Sequence, residues 1–340
     1  MEQNNLGLPH SEPTPAGAYS QEYISHSSPE YLELLAKVAH LYYEKGLNQR
    51  QIADQVDRHP STISRLLEEA RNEGIVRITV QYPWRADKDL AARLIDKFAL
   101  KEAQVLVSEG MLYLKMLDGL GVIAAHILAD LLQDGDILGV SWGSAVHSTI
   151  QALRVSKPVQ ITSVQMCGAA GESVMGGVEL PRLAAEICGG TYRYLPAPIV
   201  VKEVSLAQSL LNEPMVQEVL KLAEQADIAL VGIGSVDSRV SQWLRTGYAN
   251  PFELTDLVRL GLVGDVCGRF FTEQGEILDT DLNRRVIAVT AESLRQIKRV
   301  IAVAGGEIKV AAIRGALRSG MVNTLVTDSI AANKLLSEPK

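Results

Sequence analysis

Seven short β-rich runs, each closing at or near a glycine or serine and giving way to a helical stretch, constrain this chain more than any other feature. They are Ala103–Val107, Ile137–Trp142, Gln160–Met166, Ile228–Ile233, Leu262–Gly264, Val300–Ala304 and Thr324–Thr327. Strands that alternate with helices build βαβ crossovers. The expectation from about Asp87 onward is therefore a Rossmann-like, mostly parallel sheet with helices on both faces.

The texture before Asp87 is different. Residues 1–29 carry Pro9, Pro13, Pro15 and Pro29 among many Ser, Asn and Gln, with no apolar period, and read as a disordered tail. Leu34, Leu35, Val38, Leu41 and Tyr42 then recur at helical spacing, predicting a helix from Tyr31 to Glu44 that Gly46 ends. A short helix over Gln49–Val56 and another over Pro60–Asn72 follow. Proline suits a first turn, and Gly74 stops the second helix. The alternation over Ile75–Val80 predicts a strand. The domain expectation is a tail at 1–29, a helical domain at 30–84, and a sheet domain at 85–337.

With 340 residues and 47% of them hydrophobic, the chain has enough apolar surface to exclude wholesale disorder. The longest apolar stretch, Met111 to Leu128, is interrupted by Lys115, Asp118 and His126, so no membrane span is expected. Residues 1–29 contain no Lys or Arg, which argues against a secretory signal and for a cytoplasmic protein. Cys167, Cys188 and Cys267 are far apart and odd in number, against a disulfide framework or a zinc site, and read as small buried packers. Neither metal nor cofactor is implied. The net charge of −7 is uneven: Lys45 to Arg85 is net +2, leaving −9 for the remainder. A basic segment on an acidic body suggests two partners for two domains.

Placing Gln49 first in a helix-turn-helix template puts Ile52, Ala53, Val56, Ile63 and Leu66 where two helices interlock. Ser61, Thr62, Ser64 and Arg65 then fall on the outer face of the second helix. Hydroxyls near a helix start reach phosphates or base edges, and arginine contacts guanine or phosphate. Gln49, Arg58 and His59 complete the candidate contacts. Arg77, on the strand that follows, would touch the DNA backbone as a wing. The turn Asp57-Arg58-His59 lacks glycine, but aspartate tolerates a positive φ. An ordinary helical hairpin with a solvated charged face would use the same pattern.

Further on, Gly139-Val140-Ser141-Trp142-Gly143 fits the nucleophile elbow of serine hydrolases. That fold needs a late histidine as base, and only His147 follows Ser141, on the very next helix. Without a base the serine is a weak nucleophile, so an enzyme is not expected. Anion binding accounts better for the residues, because a strand that turns into a helix offers backbone N–H groups and a positive helix end. Ser141, Gly143 and Ser144 suit such a turn, with Trp142 as a wall. Gly232 and Gly234, Gly305 and Gly306, and Gly168 are the comparable small residues elsewhere, with Lys309 as the cation. Each glycine turn alone is equally a tight turn with no ligand, but open α/β sheets bind ligands at the carboxyl ends of their strands.

Several blocks resemble the SorC family of bacterial sugar-responsive transcriptional regulators, also called DeoR-like sugar-binding regulators. They are Tyr42–Leu47, Gln51–Ala53, Ser61–Leu67 and Glu73–Ile78 in the N-terminal part. In the C-terminal part they are Gly264–Phe271, Asp281–Ile287, Val303–Gly306 through Lys309, and Leu325–Asp328. The resemblance spans roughly Tyr31 to Leu336. It implies a winged helix-turn-helix joined to a domain like the sugar-phosphate isomerase and CoA-transferase fold, which senses rather than catalyses. It further implies an operator DNA partner, a phosphorylated sugar effector, repression of a carbohydrate operon, and a tetramer, where the need of one small helix-turn-helix for a paired half-site already leads to a dimer or tetramer. Position by position, the Ser141–Ser144 turn would hold the phosphate, Asp265 would bind sugar hydroxyls and Lys309 would contact the ligand. Ala145-Val146 stands where family members often carry threonine, leaving Ser144 as the nearby hydroxyl. The rival expectation is a sugar-phosphate isomerase-like enzyme with an appended helical hairpin.

Overall fold

The computed structural model describes residues 28–76, 84–170 and 178–337. The chain separates into two compact units, Met1–Tyr82 and Pro83–Lys340.

In the first unit, α1 (Pro29–Ala39) starts at Ser28, whose hydroxyl accepts the Tyr31 N–H, and α1 runs on into a π turn, His40–Glu44. The predicted single helix thus changes its winding at His40, where the Lys45 N–H reaches back five residues to the His40 carbonyl. Asn48 and Gln51 form a reciprocal capping box that opens α2 (Gln49–Val56). Asp57 adopts φ 50°, the positive angle that the glycine-free turn requires. His59 caps α3 (Pro60–Asn72), and Gly74 follows at φ 71°. Leu35, Val38, Ile52, Ala53, Ile63, Leu66, Leu67 and Ala70 pack as one core, and Val56 is half-buried against it. Ala53 leaves room for the two helices to cross closely. The expected tail at 1–29 lies outside the described residues up to 27. So does the expected strand from Arg77 onward.

The second unit begins with α4 (Lys88–Phe98), capped by Asp87. Seven strands form one sheet: β1 (Glu102–Leu106), β2 (Ile137–Val140), β3 (Thr162–Gln165), β4 (Thr191–Arg193), β5 (Ile228–Gly232), β9 (Arg299–Val303) and β10 (Thr324–Asp328). The order is β1-β10-β9-β5-β2-β3-β4, and every pair is parallel. Side chains alternate between two cores. On β5, Ile228 and Leu230 join one, while Ala229 and Val231 join the other. Burial of both faces explains why these strands read as continuous apolar runs rather than alternating ones. Leu90 and Leu94 of α4 are core residues.

The Leu262–Gly264 run departs from expectation. It belongs not to the parallel sheet but to a separate antiparallel one, β6 (Gly234–Ser235), β7 (Leu262–Val266) and β8 (Arg269–Thr272). Its glycine permits this: a Cβ at Gly264 would fall 2.4 Å from the Gly234 carbonyl. β6 begins only one residue past β5, so a single chain segment leaves the large sheet and enters the small one. α5 (Tyr113–Leu131) and α6 (Ser144–Ala152) pack beside the sheet. No helix among the described residues is long and apolar enough to cross a membrane.

Candidate functional site

The strand order reverses beside β2. β3 and β4 follow it on one side, and β5 comes back on the other. Side-by-side strands whose connections diverge leave a crevice at their carboxyl ends, where ligands settle in open α/β sheets. Here that crevice is a cleft of about 460 Å3, counting its part open to solvent, at the ends of β2, β5 and β9.

Ser141, Trp142, Gly143, Ser144, Gly232, Gly234, Asp265 and Lys309 all line it, brought together from four distant parts of the chain. Ser141 is buried, and its hydroxyl accepts the Gly232 N–H at 3.2 Å while donating to the Trp142 carbonyl at 3.4 Å, tying β2 to β5. Gly143 takes φ 120°, a conformation that side chains oppose, and α6 starts there with no side-chain cap. The first-turn amides of α6 thus form the positive wall of the cleft.

Two opposed charges line the same cleft. The Lys309 ammonium donates to the Ile233 carbonyl at 2.8 Å, and burial pushes its pKa down to about 8. Asp265 is 4% exposed, and burial raises its carboxyl above the ordinary range. Three features oppose that rise: the Trp243 indole N–H on Oδ1 at 2.9 Å, the Gly268 N–H on Oδ2 at 3.0 Å, and the Lys309 charge. Gly234 is obligatory beside it, since a Cβ there would lie 1.9 Å from Asp265 Oδ1.

Three candidates are not among the lining residues. A Cβ on Gly168 would fall 2.3 Å from the Pro198 carbonyl oxygen, so this glycine serves close backbone packing. Gly306 is engaged elsewhere: Asp328, at the end of β10, accepts its N–H at 2.6 Å and also binds the Ser108 hydroxyl, while a Cβ on Gly305 would fall 2.7 Å from Asp328 Oδ1. An amide already given to a buried carboxylate is not offered to an anion. Sequence reasoning missed Gln242 and Trp243, both on the cleft wall in the helical turn Gln242–Arg245. Trp243 packs edge-on to Trp142 at 5.9 Å and tilted against Phe270 at 5.0 Å. Cys267 lines the cleft with φ 51°; its thiol is hydrogen-bonded to Cys167, and that contact raises its pKa. No histidine is among the lining residues.

In the first unit, Arg58, His59, Ser61, Ser64 and Arg65 are exposed, while Gln49 and Thr62 are half-buried. Arg65 Nε lies 3.5 Å from Glu69, which also accepts the Tyr31 hydroxyl. His59 Nδ1 accepts the Ser61 N–H and meets its hydroxyl at 2.8 Å, so the pair shapes the start of α3. Arg77 lies outside the described residues. The exposed set is one polar helix start beside a turn, the surface that a major groove admits.

Comparison with known proteins matches each of the two units to a family. Residues 82–337 match the family model for a sugar-binding domain, and residues 37–70 match a helix-turn-helix domain. The deoxyribonucleoside regulator of Bacillus subtilis is 33% identical over 91% of this chain and 99% of its own. The sorbitol operon regulator of Klebsiella pneumoniae is 34% identical over 90% of this chain and 98% of its own. The crystal structure of that full-length regulator superposes with a TM-score of 0.68, covering 91% of this chain and 100% of the other at 32% identity.

Proposed function

The chain belongs to the SorC family of sugar-binding transcriptional regulators, and from that premise we propose that its effector is a phosphorylated sugar which lowers its affinity for an operator it represses. The supporting observation is the convergence of the uncapped α6 start, Lys309 and Asp265 on one cleft at the β2–β5 crevice. A phosphate has two reasons to sit at the Gly143–Ala145 end: the helix terminus and a nearby ammonium. Asp265, acceptor-only when ionised, suits the donor hydroxyls of a sugar. Oxyanion and hydroxyl recognition thus share one cleft.

DNA contacts fall to Gln49, Arg58, His59, Ser61, Thr62, Ser64 and Arg65, with Arg77 beyond them. One such module reads a short half-site, so a dimer or tetramer on paired half-sites completes the reading. Coupling requires that the effector bind the DNA-competent and incompetent arrangements unequally; equal affinity would shift nothing. The engagement of the Ser141 hydroxyl with Gly232 and Trp142 favours a sensing role over a nucleophilic one.

The test is thermal unfolding against a panel of sugar phosphates and their free sugars. A ligand that binds only the folded state adds about 2.7 kcal/mol at 100 times its dissociation constant. Stabilisation by one phosphorylated sugar and not by its free form is expected, with release of bound DNA by the same compound. Stabilisation by a free sugar alone, or tighter DNA binding in its presence, overturns the reading.

A further inference from the structure

Asp265 is held in an unusual way for a carboxylate that must meet a ligand. Oδ1 is wedged where any side-chain carbon at Gly234 would collide with it, and among the described residues the side-chain donor on that oxygen is the indole N–H of Trp243. Oδ2 takes the Gly268 amide, three residues on in the same hairpin. An ionised carboxylate has about four acceptor sites, so two remain after these bonds. Trp243 itself is 1% exposed and fixed by two other aromatic rings, Trp142 and Phe270, so its N–H has little freedom to aim elsewhere.

We propose that Trp243 is a positioning residue for effector recognition: its indole fixes the Asp265 carboxylate in the orientation that presents the two remaining acceptor sites to the hydroxyl groups of a sugar phosphate. The proposal rests on the effector reading of the cleft and adds to it the side chain that sets hydroxyl selectivity. Packing alone would need only an aromatic ring here; the N–H is what Phe cannot supply. The groups facing Asp265 are Lys309, from the turn Glu307–Lys309, and Cys267, from its own hairpin. Arg245 stands beyond, acting on Lys309. Loss of the indole donor leaves burial less opposed, so the carboxyl protonates at higher pH.

The experiment compares wild type with W243F and W142F, using inorganic phosphate and a panel of hexose 6-phosphates and pentose 5-phosphates as probes. W243F is expected to lose about tenfold or more in affinity for the sugar phosphate that wild type binds, while its inorganic phosphate affinity stays within about twofold. The acid limb of its binding profile moves to higher pH, and that of W142F does not. Equal loss for both probes with an unmoved acid limb, or no loss for either, overturns the proposal. Wild type failing to bind any sugar phosphate defeats the effector reading instead. The Trp243 indole N–H resonance then decides the positioning on its own: it is expected to titrate with Asp265 and to stop doing so in D265N. A resonance indifferent to both overturns the proposal, and this readout stands even where W243F folds poorly.

Discussion

In the helical unit, Ile63, Leu66 and Leu67 fill the interior while Ser61, Ser64 and Arg65 on the same helix face solvent; in the sheet unit, Ser141 and Asp265 are themselves interior residues. The first arrangement separates what holds the fold from what meets a partner. The second merges them, because a cleft at strand ends is lined by the same residues that join strands to helices. Substitutions should therefore act on one property in the helical unit and on two in the sheet unit.

Lys309→Met carries the largest expected effect. Removing a charge-assisted bond to an anion costs about 1.5–3 kcal/mol, roughly 10–150-fold in effector affinity, with operator binding spared. Retained affinity, measured by calorimetric titration, would remove Lys309 from the effector contacts. The wild-type protein supplies a second check. Anion binding needs the ammonium, so effector affinity should fall as pH rises through about 8, and Lys309→Met should abolish that fall. Stability of the ligand-free protein responds in the opposite sense. The folded-state value lies below the ordinary lysine value of 10.5, so between these limits the unfolded chain holds more protons, and this group's contribution to stability increases with pH.

Next comes Arg65→Ala. A base or phosphate contact of this kind is worth about 1–3 kcal/mol, so operator affinity should drop about 5–150-fold in a gel-shift titration. Its exposed pair with Glu69 contributes little, and unfolding stability should stay within about 0.5 kcal/mol of wild type. A stability loss matching the DNA loss would break the contrast between the two units.

Smallest is Asp57→Gly. It relieves a positive φ at the turn and should stabilise the helical unit by about 1 kcal/mol or less, read by chemical denaturation. Destabilisation would mean that the Asp57 side chain supports the turn in a way its backbone angle does not reveal.

The same contrast decided what could be read in advance. Helix boundaries in the first unit followed from Pro60, Gly46, Gly74 and the spacing of apolar residues, all of them local signals. The parallel strands were equally legible, since burial on both faces leaves a continuous apolar run. The edge strand β4 was not, because Thr191, Tyr192 and Arg193 are all exposed and carry no such run. Nor was the fate of Leu262–Gly264, whose partner strands are set by a close approach to Gly234 that no local pattern encodes. In the cleft, Ser141–Ser144 and Gly232–Gly234 were visible as turns, Lys309 as the accompanying cation, and Asp265 through the family resemblance. The bond of the Gly306 amide was not legible either, for a glycine turn looks the same whether its amide faces a ligand or the Asp328 carboxylate. Trp243 went unnoticed, although a tryptophan soon after the Gly232–Ser235 turn, in a chain with only three, was the available signal.

The cleft draws its two walls from two different sheets. Ser141, Gly143 and Gly232 stand on the seven-stranded frame, whereas Gly234, Asp265 and Cys267 belong to the antiparallel hairpins beside it. On the proposed reading, changes confined to the small sheet would alter which hydroxylated molecule is held and leave the anion end on the large frame untouched.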